Sequence, residues 1–258
     1  MRLDALLVER GLAESRSRAQ GMILAGSVRV AGQVVTKTGS RIAPDESLAV
    51  EARPPYVSRA GGKLSFALDE FGIEVAGHSC LDAGASTGGF TDVLLQRGAR
   101  RVISADVGYG QLDWSLRNDE RVTVLERTNV RHLTGGDLPF EPDLLVADLS
   151  FISLTVALET LLSTAHSIRE AVVLVKPQFE AGPEQVGRGG LVCDPEVHAD
   201  TIRGVAESFV SLGFGAVDMT RAPVAGRKSG NREYPLHLLR GAALSLDEAR
   251  VREVVAPE

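Results

Sequence analysis

The sequence predicts an α/β fold: a doubly wound, mostly parallel seven-stranded sheet with a small N-terminal α/β domain. Three observations lead there. From His78 onward, short apolar runs alternate with helical stretches, the arrangement that winds strands into a parallel sheet. One run, Ala171–Val175 in "EAVVLVKPQFE", is apolar without a break, as a strand covered on both faces is. The first fifty residues follow a different order (helix, helix, hairpin) and are set off by the proline-containing stretch "EARPPYVSRAGG".

In chain order, "RLDALLVERGL" places Leu3, Leu6, Leu7 and Val8 at helical spacing and stops near Gly11. "ESRSRAQGMILAG" starts with a serine suited to a cap and ends at Gly26, and "SVRVAGQVV" alternates around Ala31-Gly32, a hairpin turn. Pro54-Pro55 is stiff and extended. These signals divide the chain into residues 1–53, a linker at 54–60 and a larger domain at 61–258. In that domain the expected strands are "SCLDAG", "RVISADVG", "VTVLER", "DLLVADLSF", "AVVLVK", "FGAVDM" and "PLHLLRG", with helices such as "LTVALETLLSTA" and "EVHADTIRGVAESFVSLG" between them.

Composition narrows the function classes. The chain has 258 residues, 44% hydrophobic and 24% charged, which suits a soluble globular protein. No apolar run approaches the roughly 18–20 residues that span a bilayer, and the N-terminus has acids where a signal peptide would be apolar, so a cytoplasmic location is expected. Cys80 and Cys193 stand far apart and form neither a metal motif nor a disulfide framework; no metal is expected. The net charge is −6, yet residues 1–53 carry eight Lys/Arg against six Asp/Glu. Ser15–Pro44 has five basic residues, Arg16, Arg18, Arg29, Lys37 and Arg41, and no acid. A local basic patch binds phosphates whatever the total charge; it also fits a solvated face without a partner.

In a doubly wound sheet, ligands sit at the carboxyl ends of the strands. The first of these strands ends in "LDAGASTGGF", where Gly84, Gly88 and Gly89 allow a tight turn and close approach of a ligand. The loop has neither the Gly-x-x-x-x-Gly-Lys phosphate pattern nor the Gly-x-Gly-x-x-Gly dinucleotide pattern, since Ser86 takes the middle glycine's place. Asp82 would sit badly beside a pyrophosphate and suits a cationic ligand such as S-adenosylmethionine. Asp106 ends the next strand, where a carboxylate accepts hydrogen bonds from ribose hydroxyls, and Asn129 in "ERTNVR" is placed to read an adenine edge.

Three further strand ends carry unusual residues. Asp148 follows Leu144–Ala147, Lys176 ends the buried run, and Glu233 precedes the last strand; Lys63 in "SRAGGKL" lies near a helix start. Each alone has a plain structural reading, a cap for the acid and a solvated surface group for the lysine. Two acids and two bases converging on one crevice are harder to explain that way. An unpartnered buried ammonium is costly, so Lys176 calls for a role.

The N-terminal pattern "SRSRAQGMILAGSVRVAGQVVTK" resembles the S-four-type RNA-binding domain. The four charged residues resemble the Lys-Asp-Lys-Glu tetrad of FtsJ-type RNA 2′-O-methyltransferases. More closely, "YVSRAGGKL", "CLDAGASTGGFTDVLL", "ADVGYGQLDWSLRND", "LERTNVR", "VADLSFISL", "LVKPQFE" and "SGNREY" look like the TlyA (haemolysin-A) family of rRNA methyltransferases. The resemblance implies a Rossmann-like class I methyltransferase domain, S-adenosylmethionine as cofactor, and 2′-O-methylation of cytidine in ribosomal RNA within ribosomal subunits. It makes Lys63, Asp148, Lys176 and Glu233 catalytic. The cofactor contacts expected on the glycine-rich loop and the strand ends are Asp82, Gly84, Ser86, Thr87, Gly88, Gly89, Phe90, Asp106, Asn129 and Asp148.

A ribose hydroxyl is a poor nucleophile until its proton is removed or shared. Lys176 would act as the base or proton acceptor with Asp148 as its main partner, while Lys63 and Glu233 position the nucleotide. Two glycine-rich segments, "EAGPEQVGRGGLV" and "PVAGRKSGNRE", flank Lys176 and Glu233, so Arg188, Arg227 and Lys228 join Arg16, Arg18, Arg29 and Lys37 as expected RNA contacts. The rival readings are a non-catalytic RNA-binding assembly factor, which the full tetrad and an intact "DAGASTGGF" loop oppose, and a membrane-lytic protein, which no spanning segment supports.

Overall fold

The computed structural model describes residues 1–24, 26–50, 55–223 and 231–256. They fall into two units, Met1–Pro54 and Pro55–Glu258.

In the first unit, α1 (Leu3–Glu9) and α2 (Arg16–Leu24) pack on a small sheet of β1 (Val28–Val30), β2 (Gln33–Val34) and β3 (Leu48–Val50). Leu3 and Leu7, one turn apart, meet Ala19 and Ile23 of α2 and Val28 and Val30 of β1 in one core. Ser15 starts α2 by accepting the Arg18 amide at 3.2 Å. Ala31 and Gly32 have φ of 48° and 78°, the two positive values that a two-residue hairpin turn needs. β3, which pairs antiparallel with β1, was not expected: three residues are too few for alternation to register. Asp4 is fully buried beneath the basic surface, where it accepts from Arg2, Gln20 and Arg16. The Arg2 hydrogen bonds, with Gln20 adding, hold its carboxyl below the usual carboxylate range.

The second unit begins with α3 (Arg59–Phe71) and runs through β4 (Ser79–Ala83), α4 (Gly89–Gln96), β5 (Arg101–Ala105), α5 (Trp114–Arg117), β6 (Val122–Leu125), β7 (Leu144–Ala147), α6 (Leu154–Thr164), β8 (Glu170–Val175), α7 (Pro177–Glu180), α8 (Pro195–Ser211), β9 (Phe214–Met219), β10 (Tyr234–Arg240) and α9 (Glu248–Val255). Among the described residues the sheet has seven strands in the order β6-β5-β4-β7-β8-β10-β9. The pairs from β6 to β8 are parallel, and β10 runs antiparallel to both its neighbours. The seven expected strands are therefore all present, and the sheet is mostly parallel as the alternation predicts.

Two cores follow from strand alternation. Leu81, Ala83 and Val173 face α6, α8 and α9, whereas Cys80, Val102 and Val172 face α3 and α4. Cys80 is buried, and burial pushes its thiol up to about 12; Cys193 is exposed.

The linker expected at 54–60 is shorter. Arg59 and Ala60 form the first turn of α3, and the residues before it are tied to the second unit. The Tyr56 hydroxyl donates to Ser65 Oγ at 2.8 Å, the Val57 amide to Asp92 at 2.8 Å, and Gln96 to the Pro55 carbonyl at 2.9 Å. Proline stiffness marked the segment's start, but these bonds across the fold decide its end.

Candidate active site

Strand order changes direction at β4, which is followed in sequence by β5 on one side and flanked by β7 on the other. The crevice of a doubly wound sheet opens at such a point, over the carboxyl ends. Asp106 stands directly after β5, Asp148 after β7 and Lys176 after β8. Because β10 is antiparallel, its start lies on that same edge; Tyr234 pairs with Val175, which puts Glu233 beside Lys176.

The glycine-rich loop makes the floor. Gly84 has φ of 87°, and a Cβ there would stand 2.8 Å from the Asp148 carbonyl oxygen, so glycine lets β4 and β7 close together. Gly88, with φ of 95°, caps α4 in a left-handed conformation against the Leu112 and Leu116 side chains. Ser86 and Thr87 are exposed on the loop, whereas Gly89 and Phe90 are buried in α4.

Asp82 differs from its expected placement. It does not line the cavity above the loop: it is fully buried, and its Oδ2 accepts the Thr91 amide at 2.9 Å and the Thr91 hydroxyl at 2.7 Å. Its Oδ1 has no partner among the described residues. Burial, with the charges of Asp148 and Asp106 adding, pushes the Asp82 carboxyl up to about 7 in spite of the Thr91 bonds. Asp82 thus ties β4 to α4 from below.

A cavity of about 340 Å³ opens above the loop. Asp106 and Asp148 are on its walls, Asn129 and Ser86 contribute polar atoms, and Val107 and Ile152 contribute apolar surface. Asp106 accepts the Ser86 amide at 2.8 Å and the Gly108 amide at 2.6 Å, which fixes the carboxylate and leaves lone pairs toward the cavity. Asn129 Oδ1 accepts the Arg131 amide at 3.1 Å, so its NH2 group remains to donate. The Asp106 carboxylate, held by backbone amides with lone pairs to spare, suits a hydroxyl-bearing ligand and repels a pyrophosphate.

The four charged residues form two ion pairs. Lys176 Nζ lies 2.5 Å from Asp148 Oδ1 and donates to Ser150 Oγ at 2.9 Å. Lys63 Nζ is bonded to Glu233 Oε2. Lys176 and Glu233 are 6% and 5% exposed, so both charges are carried inside the protein and each has a counter-charge.

Sequence reasoning missed three neighbours. Ser150 reaches Lys176; Phe151 is 89% exposed with φ of 66°, and its ring lies 4.9 Å from that of Phe179. Gln111 also lines the cavity. The readable signal was "DLSF", a polar residue and an aromatic directly after a buried strand. A strained, solvent-facing ring at the mouth of a cleft suits stacking on a planar base.

The expected RNA contacts are less uniform. Arg18, Lys37 and Arg188 are exposed. Arg16 is exposed but also bonded to Asp4 at 3.3 Å, and Arg29 is half-buried and donates to the Gly32 carbonyl within its own hairpin. Arg227 and Lys228 lie outside the described residues. Among the described residues there is no group of three or more His, Cys, Asp or Glu placed to hold a metal, and no helix long and apolar enough to cross a membrane.

Comparison with known proteins gives two family matches: FtsJ-like methyltransferase over residues 56–240 and S4 domain over residues 1–48. The chain is 52% identical to the 16S/23S rRNA (cytidine-2′-O)-methyltransferase TlyA of Mycobacterium tuberculosis, over 92% of this chain and 89% of that protein. It is 41% identical to hemolysin A of Brachyspira hyodysenteriae, over 93% of this chain and all of that one. A solved structure of a candidate hemolysin from Streptococcus thermophilus is 37% identical with a TM-score of 0.75, covering 99% of this chain and 94% of that one.

Proposed function

Because the chain belongs to the FtsJ-like methyltransferase family, in its TlyA branch, we propose that it methylates the ribose 2′-oxygen of cytidine in ribosomal RNA, with S-adenosylmethionine as donor. The observation that carries this reading is the ion pair of buried Lys176 with half-buried Asp148, on the rim of a cavity walled by Asp106 and Asp148.

When bound, S-adenosylmethionine supplies an electrophilic methyl group. Asp106 would accept its ribose hydroxyls, the Asn129 amide would meet the adenine edge, and Asp148 would face its cationic end. Gly84 and Ser86 line the same space, and Thr87, Gly88, Gly89 and Phe90 hold the loop's shape. Asp82 supports the site from beneath through Thr91.

With the Lys176 ammonium first deprotonated to the amine, the target hydroxyl's O–H bond would break and its proton would pass to the Nζ lone pair. The oxygen's electron pair would form the O–C bond as the methyl–sulfur bond breaks and the sulfur leaves as a neutral thioether. Asp148 holds the lysine and balances the charge it gains. Lys63 and Glu233 position the nucleotide. Residues 1–53 serve as the RNA-binding domain, with exposed Arg18 and Lys37 meeting phosphates, and the partner is rRNA within ribosomal subunits.

The test is transfer of label from S-adenosylmethionine to unmethylated small and large ribosomal subunits, wild type beside Lys176→Ala. We expect incorporation at a ribose 2′-oxygen that the variant loses. No incorporation on either subunit, with the cofactor bound, would replace this reading with a non-catalytic RNA-binding factor.

A further inference from the structure

We infer that Ser150 is a positioning residue for the methyl transfer: it fixes the direction in which the working lone pair of Lys176 points. The inference rests on the reading of Lys176 as the proton acceptor.

Once the ion-paired ammonium of Lys176 has given up a proton, its amine has two N–H groups and one lone pair in tetrahedral array, and it turns freely about its last carbon–nitrogen bond. One partner leaves that rotation partly open, while two partners close it. Asp148 Oδ1 at 2.5 Å and Ser150 Oγ at 2.9 Å take two of the three positions on Nζ. The third position is then set, with no further rearrangement when the substrate hydroxyl arrives. Phe179, whose ring centroid lies 5.9 Å from Nζ, and the burial of Lys176 restrict the stem.

The backbone around Ser150 is built to hold that hydroxyl in place. Asp148 leaves β7 directly, and Phe151, the residue after Ser150, takes a left-handed φ of 66°, a conformation unfavourable for a bulky side chain. The far end of the loop is tied down by Glu180, whose Oε1 accepts the Leu154 amide at 2.7 Å. Glu180 ends the short helix α7, which begins directly after Lys176. The loop bearing Ser150 is thus tied at Lys176 and at Glu180, the two ends of one five-residue segment.

The test compares Ser150→Ala and Ser150→Thr in the full-length protein on whichever ribosomal subunit the wild type methylates. Ser150 is exposed, so neither change threatens the fold. For Ser150→Ala we expect kcat to fall by about tenfold or more, with KM for the subunit and calorimetric Kd for S-adenosylmethionine within about twofold of wild type. Ser150→Thr, which keeps a hydroxyl, should recover most of the rate. A wild-type kcat in Ser150→Ala overturns the inference. So does a loss that tracks cofactor affinity, because Ser150 also lines the cavity, or a Thr variant as slow as the Ala one. If the wild type itself transfers no methyl group, the assignment of Lys176 fails first and this inference with it.

Discussion

Lys63 and Glu233, 170 positions apart, meet as an ion pair whose side chains are 12% and 5% exposed. The pair joins α3 to the start of β10 at the edge where Lys176 also lies. Neither charge would stay in so dry a place without the other. Glu233→Gln should therefore destabilise the protein by about 3–5 kcal/mol, the usual cost of leaving one buried charge uncompensated. The double variant Lys63→Met/Glu233→Gln should regain much of that loss in a denaturant titration, yet remain inactive. Equal stabilities of the two variants would show the pair to be uncoupled.

Asp82 gives a pH signature. An ordinary aspartate titrates near 3.8, whereas burial raises Asp82 to about 7 in the fold. Between those values the folded state binds more protons than the unfolded one, so the contribution of Asp82 to stability declines as pH rises from about 4 to about 7 and levels off above. Asp82→Asn keeps an acceptor for Thr91 and removes the charge. The difference in unfolding free energy between variant and wild type should widen in favour of the variant over that window, by a few kcal/mol. A constant difference from pH 4 to 8 would contradict this.

Gly84→Ala tests the floor of the cavity. The new methyl would meet the Asp148 carbonyl oxygen at 2.8 Å with φ at 87°, so β7 must shift. The shift moves Asp148, and we expect Kd for S-adenosylmethionine to rise by about tenfold or more, equivalent to about 1.4 kcal/mol, with a lower Tm. Calorimetry and thermal unfolding read both.

The charges of the first unit should act on RNA alone. Arg18→Ala/Lys37→Ala should weaken binding to the methylated subunit and lower the slope of log K against log salt by roughly one per phosphate contact removed. Cofactor Kd should not change. Arg16 is less informative, because removing it also strips a partner from buried Asp4.

Much of the site could be read without coordinates. Asp106, Asp148 and Lys176 each interrupt an apolar run at its carboxyl end, and a polar residue there stands out because the strand before it must be apolar to be covered on both faces. Other parts could not. Asp82 also reads as a strand-end acid, but only the packing of Thr91 against it shows that it faces inward. Ser150 escaped notice because nothing local ties a serine to a lysine 26 positions later.

The local pattern settles which segments become strands, which become helices and which residue types sit where strands end, since side-chain period and backbone preference act over a few residues. It does not settle who meets whom. Strand order β6-β5-β4-β7-β8-β10-β9 is set by long-range closure and the covering of two sheet faces, and backbone ladders pair in the same way whatever the side chains. The pairing of Lys63 with Glu233 and of Lys176 with Asp148 and Ser150 therefore came only with the folded sheet, because bringing such distant charges together depends on the burial of the whole core.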